Sequence, residues 1–320
     1  MPPRQDGGKK GPPRGGCCVS TAASANDRTT VVLGTATPGG GFPVYGQAVA
    51  ETINETDPSL SVQTKNTKGS TENVPLLEAG QLDLGLATGE VAYEAMAGIG
   101  RPPATSLRIL SAMYSQPGMF VVRADSPYRT IHDLEGQRVA FGTRGSGLVV
   151  LARYVLDGLG LDMNRDFQAV FLDQAGDGPT MVLDGRVAAL WGGVVGWPGF
   201  VAVAHGPAGA RFIAPDGQGI ERIQARHGFL KTVTAPAGSY PGQDAPIVSV
   251  GSWCLILARA GLAEDVAYRL ARALHRGEAA LGRRLAQARE TTAANTVAAA
   301  RTDTIHPGAV RYFREIGLVR

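Results

Sequence analysis

The chain has 320 residues, of which 44% are hydrophobic and 18% charged, and its formal net charge is +3. A chain of this length can bury sizeable cores and suggests about two domains. The composition is that of an ordinary globular protein and argues against a disordered or coiled-coil chain. The small net charge does not indicate nucleic-acid binding, and no apolar run approaches the ~18 residues of a membrane helix. We therefore expect no nucleic-acid partner and no direct membrane insertion.

The first 28 residues differ in composition from the rest of the chain. They are basic, rich in Pro and Gly and without apolar periodicity, which predicts disorder. Ala23-Ser24-Ala25 has the A-x-A form of a signal-peptidase site. An export signal also has an apolar stretch of ~7–15 residues, and only Cys17–Val19 stands in its place. We interpret residues 1–28 as an atypical or incomplete export signal, with a disordered tail as the alternative.

Cysteine and histidine give no indication of a disulfide or a metal site. Cys17 and Cys18 lie in the leader, so removal of the leader would leave only Cys254. Cys254 lies in an apolar strand and is expected to be a small buried hydrophobic residue. The five histidines have no ligand-like spacing. No metal and no cofactor are expected.

The first strand–loop–helix unit is the clearest candidate for a binding site. Val31–Leu33 predicts a buried strand, and Pro38–Gly41 is too rich in glycine for regular structure. Pro43 then suits the first turn of a helix. Such a unit presents backbone N–H groups and the positive end of a helix dipole, which favours an anion. The alternative is a loop that only makes a tight turn.

The next part of the chain alternates strands and helices. Its predicted elements are a strand at 60–64, a helix from Ser70, a strand at 82–88, a short helix after Gly89, and strands at 107–113 and 119–123. Gln116-Pro117-Gly118 is predicted to interrupt the last two strands. Repeated β-α-β units with short connections predict a mainly parallel sheet with helices on both faces.

A second unit of the same kind follows. Gly142–Gly147 separates a strand at 136–141 from a helix that continues to Leu159. The further predicted elements are strands at 168–172 and 187–191, a helix at 178–184, and C-terminal helices at Leu262–Leu281 and Val310–Ile316. The two halves therefore share a plan, although no repeat is visible residue by residue.

Several motifs occur in a consistent order from about Val31 to Leu318. They are Tyr45-Gly46, Gly69-Ser70-Thr71-Glu72-Asn73, Leu76–Leu84, Val91–Tyr93, Gly145–Gly147, Pro236–Asp244 and His306–Ala309. In these motifs the chain resembles the TAXI-type solute-binding proteins of tripartite ATP-independent periplasmic (TRAP) transporters. It departs from them at Glu90, where relatives usually have Asp, in its longer first glycine loop, and in its leader.

The resemblance implies an α/β protein with the two-lobe, type II periplasmic-binding-protein fold, each lobe a mainly parallel sheet flanked by helices and the ligand cleft between them. The first lobe is expected at 29–118 and 251–320, and the second at 119–250. Met119–Arg123 and Ile247–Leu257 are the expected crossing strands, and the C-terminal helices are expected to pack on the first lobe.

The resemblance also implies a function. A periplasmic protein of this kind captures a small carboxylate-bearing solute, such as glutamate or another amino acid, or an oxo or dicarboxylic acid, and delivers it to TRAP membrane subunits. A monomer is expected. The alternative is a periplasmic sensor for a membrane receptor or kinase with the same binding core. An enzyme is not expected, because the sequence has no nucleophile elbow, metal set or phosphate motif.

Three helix N-termini are expected to bind the ligand. They carry the amides of Gly40 and Gly41, of Ser70, and of Gly145 and Ser146, all of which would face one cleft. Several amides and dipoles acting together favour a small anion, most plausibly a carboxylate.

Side chains are expected to complete this site. The expected wall residues are Phe42, Tyr45, Asn73 and Trp191, with core packing as the alternative for Phe42 and Trp191. Arg144 could add a charged donor, and its alternative is a solvated loop arginine. Glu90 would repel a second carboxylate or receive an ammonium group, which slightly favours an amino acid.

Overall fold

The computed structural model describes Met1 and residues 28–320. Nearly all of the predicted leader, with its A-x-A segment, lies outside the described residues. Within them, no helix combines the length and the apolar character needed to cross a membrane.

The described chain alternates strands and helices as the sequence predicts. The strands are β1 (Thr29–Gly34), β2 (Leu60–Lys65), β3 (Leu84–Ala87), β4 (Arg108–Pro117), β5 (Met119–Arg123), β6 (Arg138–Thr143), β7 (Gln168–Leu172), β8 (Ala189–Gly192), β9 (Ala210–Ile213), β10 (Lys231–Ala235) and β11 (Ile247–Ala258). The helices are α1 (Gly41–Thr56), α2 (Ser70–Glu78), α3 (Gly89–Ala97), α4 (Gly147–Gly158), α5 (Asp177–Leu183), α6 (Pro198–Ala204), α7 (Gly217–Arg226), α8 (Glu264–Arg284), α9 (Ala293–Ala299) and α10 (Pro307–Glu315).

These strands form two sheets. The first has the order β10-β11-β3-β1-β2, with β4 on the other side of β11, and the second has the order β7-β6-β8-β5-β9. In the first sheet β1 is parallel to β2 and β3, and in the second β6 is parallel to β7 and β8. The other pairs are antiparallel. Both sheets are therefore mixed, because one strand in each, β11 in the first and β5 in the second, runs opposite to the others. The remaining strands of each sheet share one direction, as the sequence predicts.

The connection between the sheets differs in one respect from the sequence prediction. Gln116 and Pro117 continue β4 instead of breaking it, because they pair with Ser252 and Gly251 of β11. Gly118 alone separates β4 from β5. β5 lies in the second sheet, so the chain passes from one sheet to the other within a single residue.

We define the first lobe as the first sheet with α1–α3 and α8–α10, and the second lobe as the second sheet with α4–α7. Strand pairing places β10 in the first sheet, although it precedes residue 251. The predicted division of the chain at 119 and 251 stays a prediction.

Buried apolar residues fill both lobes, and one apolar cluster continues from the first lobe into the second. In the first lobe α8 buries Leu270, Leu274 and Leu281 along one face, the spacing of an amphipathic helix, and it packs on α1 and α10. In the second lobe Phe120 contacts Trp191 edge-to-face, with 4.7 Å between ring centroids. These interiors hold the strand ends in fixed positions on either side of the cleft.

Candidate functional site

A cavity of about 60 Å³ lies between the two lobes. It opens beyond the carboxyl ends of β1, β3 and β6, the position where open α/β sheets bind ligands. Its lining residues are Ala36, Thr37, Gly40, Gly41, Phe42, Gly69, Ser70, Thr88, Gln116, Gly142, Thr143, Ser146, Gly147, Leu148, Leu172, Ala175, Trp191, Val194 and Trp197.

Four helices begin at the cavity. The N-caps of α1, α2, α3 and α4 are Gly40, Gly69, Thr88 and Ser146, and all four line the cavity. No side chain caps α1, α2 or α3. In α2 the Thr71 N–H donates to the Gly145 carbonyl of the second lobe at 3.3 Å. In α4 the Ser146 hydroxyl accepts a hydrogen bond from the Leu148 N–H at 3.2 Å. The sequence predicts three of these N-termini, and the structure adds that of α3.

Two buried polar groups in the cavity lining have no hydrogen-bond partner among the described residues. They are Oγ1 of Thr88 and Nε2 of Gln116. Thr88 is 2% exposed and Gln116 is 1% exposed. A buried donor without a partner carries a desolvation cost of ~1–3 kcal/mol, which a bound solute or water can remove. A bound solute could therefore make hydrogen bonds to both of these groups.

Aromatic rings form the apolar wall of the cavity. Trp191 donates its indole N–H to the Leu148 carbonyl at 2.8 Å, and Trp197 donates to the Gly39 carbonyl at 3.4 Å. The second of these bonds joins the two lobes. Phe42, in the first turn of α1, also lines the cavity. The site thus combines polar helix ends with an apolar wall, as small-molecule sites commonly do.

Glycines allow the lobes to approach each other closely. A Cβ on Gly69 would lie 2.8 Å from the Gly145 carbonyl oxygen, and one on Gly39 would lie 2.7 Å from Cα of Gly176. A Cβ on Gly147, at the start of α4, would overlap Oγ1 of Thr88 across the cleft. The glycine loops therefore do more than turn the chain, because their missing side chains leave room for backbone contact between lobes.

A second set of contacts joins the lobes beside α3. Tyr93 stacks on Phe229, with ring centroids 4.2 Å apart. Glu94 of α3 accepts a 2.8 Å hydrogen bond from the hydroxyl of Tyr154 in α4. Glu94 also forms an ion pair with Arg153 of α4. With the glycine contacts, these interactions show the lobes closed on each other.

The predicted site residues divide into two groups. Those that line the cavity are Gly40, Gly41, Phe42, Ser70, Ser146 and Trp191. Those that do not are Tyr45, Asn73, Glu90, Arg144 and Gly145. That the first group contacts the ligand stays a prediction. The surroundings of the second group, described next, explain why its residues do not line the cavity.

Tyr45 and Asn73 serve the interior of the first lobe. The Tyr45 hydroxyl is 2.9 Å from the Thr291 hydroxyl, and its ring is fully buried. The Asn73 amide donates to the carbonyls of Thr35 and Leu86, both at 2.8 Å, and so ties together the ends of β1 and β3. Neither side chain has a free polar donor for the cavity.

Arg144 and Gly145 lie at the edge of the cleft. The Arg144 guanidinium stacks over the Phe171 ring, 4.2 Å from its centroid, and lines a separate surface pocket. The Gly145 carbonyl accepts hydrogen bonds from the amide and hydroxyl of Thr71, at 3.3 and 3.0 Å. Gly145 therefore contributes to the contact between lobes.

Glu90 lies behind the cavity and is fully buried. Burial raises the pKa of its carboxyl group, although the hydrogen bond from Ser252 opposes this shift. Burial therefore disfavours the charged form of this carboxyl group relative to an exposed glutamate. Glu90 does not line the cavity, and the expectation that it repels a second carboxylate or receives an ammonium group stays a prediction.

No charged side chain lines the cavity within the part of the chain described. Among residues 28–320 there is also no group of three or more His, Cys, Asp or Glu placed to hold a metal ion. The electrostatic character of the site therefore comes from helix N-termini, hydroxyls and the Gln116 amide.

Sequence reasoning missed several lining residues. The sequence predicts Thr88 only as the end of a strand, and it predicts that the segment containing Gln116 interrupts two strands. Trp197 follows a glycine-rich stretch in which no element was predicted, and Thr143 belongs to the second glycine loop. The available signal was positional, because Thr88 directly precedes a helix start.

Solved structures show the same fold in other proteins. A periplasmic transporter structure matches with a TM-score of 0.56 and 15% identity, covering 89% of this chain and 93% of that one. An ancestral arginine-binding protein matches in its arginine-bound form, with a TM-score of 0.51, 14% identity and coverage of 82% and 99%. An ancestral arginine-binding protein bound to glutamine matches with a TM-score of 0.50, 15% identity and coverage of 82% and 98%.

These likenesses, together with the two flanked sheets, define an α/β protein with the periplasmic-binding-protein fold. Residues 33–317 match the NMT1-like family, and the chain belongs to that family. The predicted fold class is thereby confirmed. The finer resemblance to TAXI-type proteins stays a prediction.

Proposed function

We propose that this protein is a periplasmic solute-binding protein that captures a small carboxylate-bearing solute between its lobes and delivers it to a membrane transporter. The observation that carries this proposal is the convergence of four helix N-termini on a cavity without a charged side chain in its described lining. Each helix end favours an anion, because its unpaired amides and its dipole point toward negative charge.

The strength of such a site depends on the number of helix ends and on burial. One helix dipole stabilises an anion by ~0.3–1 kcal/mol when exposed and up to ~2 kcal/mol when partly buried. In this proposal the helix ends act together in a closed cavity and take the place of an arginine. The Gln116 amide and the Thr88 hydroxyl supply further hydrogen bonds.

The cavity volume limits the solute in the conformation observed. A cavity of ~150 Å³ accepts benzene, whereas this one has about 60 Å³. A short carboxylic acid is therefore favoured here, and a solute as large as glutamate requires the lobes to separate further. Hinge motion at the β4–β5 connection and β11 would provide that separation.

Binding is favoured over catalysis by the chemistry of the lining. The hydroxyls of Ser70 and Ser146 lie beside helix ends, and no histidine or carboxylate is among the cavity-lining residues described. A hydroxyl without an adjacent base is a hydrogen-bond donor and a poor nucleophile. Delivery to TRAP membrane subunits is part of the proposal and rests on the TAXI-like motifs of the sequence.

The proposal is tested by thermal-shift screening of the purified protein. Amino acids, oxo acids and dicarboxylic acids are compared with neutral and cationic solutes of similar size. A solute that binds the native state stabilises it by ~2.7 kcal/mol at a concentration of 100 Kd. We expect anionic solutes alone to raise the melting temperature, whereas shifts confined to neutral or cationic solutes would contradict the helix-end account.

A further inference from the structure

Gln116 occupies a special position between the lobes. It is the second-last residue of β4, two residues before Gly118 and the passage into the second sheet. Its backbone pairs with Ser252 of β11, the other strand that belongs to the connection. From the second lobe, Gly193 packs against its side chain, since a Cβ on Gly193 would lie 2.8 Å from Cγ of Gln116.

The two ends of the Gln116 amide have different surroundings. Its oxygen, Oε1, lies 3.2 Å from Sγ of Cys254, which also belongs to β11. Burial raises the pKa of the Cys254 thiol well above its usual range, so the thiol keeps its proton and donates to that oxygen. The nitrogen, Nε2, then lies on the other end of the amide, is buried, and has no partner among the described residues.

We propose that Gln116 donates a hydrogen bond from Nε2 to the bound solute, and that the Cys254 thiol sets this orientation by holding Oε1. The inference rests on the proposed function and deepens it, because it names a specificity-determining residue of the same cavity. Gln116 binds the solute, and Cys254 is a positioning residue that acts through it.

The arrangement selects the chemistry of the solute. An oxygen of a carboxylate or carbonyl satisfies the Gln116 donor, whereas an N–H at the same point would leave two donors facing each other. Discrimination of this kind is large when the group of the site is buried, because the wrong partner leaves it unpaired. Since Gln116 lies at the connection between lobes, the same bond also ties the solute to the closed arrangement.

The orientation of the Gln116 amide gives Cys254 a role beyond that of a small buried hydrophobic residue. Without the thiol, no other side-chain hydrogen bond among the described residues fixes the orientation of the Gln116 amide. The two orientations then compete, and the donor is present in the cavity for only part of the time. The affinity for the solute then falls for two reasons. Only a fraction of the molecules hold the amide in the binding orientation, and binding must also immobilise the side chain.

The test uses isothermal titration of the wild-type protein and its variants with acetate, propionate and succinate, short carboxylates of the kind that the cavity volume favours. Gln116→Met keeps the length of the side chain and removes its amide, so we expect affinity to fall by about 10- to 100-fold. Cys254→Ala removes the thiol donor and should lower affinity about threefold or more, whereas Cys254→Ser keeps a donor and should restore affinity to within about twofold of wild type. If Gln116→Met does not fold, Gln116→Asn, whose shorter amide reaches less far, takes its place.

The outcomes separate this inference from the proposed function. Wild-type binding that survives unchanged in the Gln116 variant overturns the inference and leaves the function in place. Equal loss of affinity in Cys254→Ala and Cys254→Ser, with unchanged melting temperature, overturns the positioning role. Failure of the wild-type protein to bind any of the three probes overturns the proposed function and this inference together.

Discussion

The hydroxyl of Ser252 donates a 2.6 Å hydrogen bond to Oε1 of Glu90, directly behind the binding cavity. Glu90 is the second residue of α3 and is fully buried, and its other oxygen, Oε2, has no partner among the described residues. Burial raises the pKa of this carboxyl group. The charged form of Glu90 is therefore disfavoured in the first turn of α3.

The raised pKa of Glu90 predicts a pH-dependent effect of Glu90→Gln. The neutral form is favoured in the folded protein, so its contribution to stability is full below the unfolded pKa of 4.5 and is lost as pH rises through the folded pKa. Glutamine does not ionise. The melting temperature of the variant minus that of the wild type should therefore increase as pH is raised from 5 to 9, and a difference that decreases over this range would contradict the prediction.

The closed arrangement predicts that a methyl group on Gly147 interferes with ligand binding. The added Cβ would overlap Oγ1 of Thr88, across the cleft. Gly147→Ala should weaken solute binding by about tenfold or more, as expected for ~1.4 kcal/mol of hindered closure. The melting temperature without solute should fall as well, because the closed arrangement already brings these buried atoms together.

Gly217→Ala is a matched control for this variant. Gly217 is also the first residue of a helix, α7, and a Cβ there meets no atom within 4 Å. It should leave affinity unchanged in the same thermal-shift titration. If the two alanine variants bind the solute equally well, close approach of the lobes through Gly147 is not needed for binding.

Arg144 and Ser146 are neighbours with different expected effects. The Arg144 guanidinium stacks on Phe171 outside the cavity, so Arg144→Ala should change solute affinity by less than about twofold and cost ~0.5–1 kcal/mol of stability. Ser146→Ala removes the N-cap of α4 and should cost ~0.5–2 kcal/mol, together with a clear loss of affinity. Calorimetric titration of both variants checks the contrast, and a greater loss of affinity in the arginine variant would reverse the assignment.

His306 predicts a second pH effect, on stability alone. Its Nδ1 accepts a hydrogen bond from the Gly308 N–H at 3.2 Å, and its Nε2 donates to the Leu262 carbonyl at 3.1 Å. Burial lowers the pKa of this ring, although the bond to Leu262 opposes the shift. The unfolded state therefore binds more protons, and stability falls as pH drops below the unfolded pKa of 6.5.

Asparagine at position 306 can still cap α10 but does not titrate. His306→Asn should therefore flatten the fall of melting temperature between pH 7 and pH 5. An equally steep fall in the variant would show that other groups cause the acid sensitivity.

The sequence predicts the parts of this fold that depend on local signals. A β-branched run, a glycine loop and a helix start identify the ends of β1 and β6, and with them Gly40, Gly41 and Ser146 of the site. Ser70 was found because a serine after a glycine is a good start for a helix. These signals operate within a few residues, so tertiary structure is not needed to read them.

The remaining site residues depend on packing between distant segments. Gln116 stood in a Gln-Pro-Gly sequence that favours a turn, and only pairing with β11 keeps it in a strand. Tyr45 and Asn73 are polar residues near helix starts, yet Tyr45 bonds to Thr291, 246 positions away, and Asn73 to the ends of two strands. No local pattern distinguishes a polar group that ties the interior together from one that faces a ligand.

The central claim is that helix ends recognise negative charge, and matched carboxylates and amides test it most directly. The melting temperature of the wild-type protein is measured with propionate and propionamide, and with succinate and succinamide, at equal concentrations. At a concentration of 100 Kd, a binding carboxylate should raise it by about 3 to 8 °C, and its amide, similar in shape but uncharged, should not. Amides that shift the melting temperature as much as their carboxylates would contradict the account.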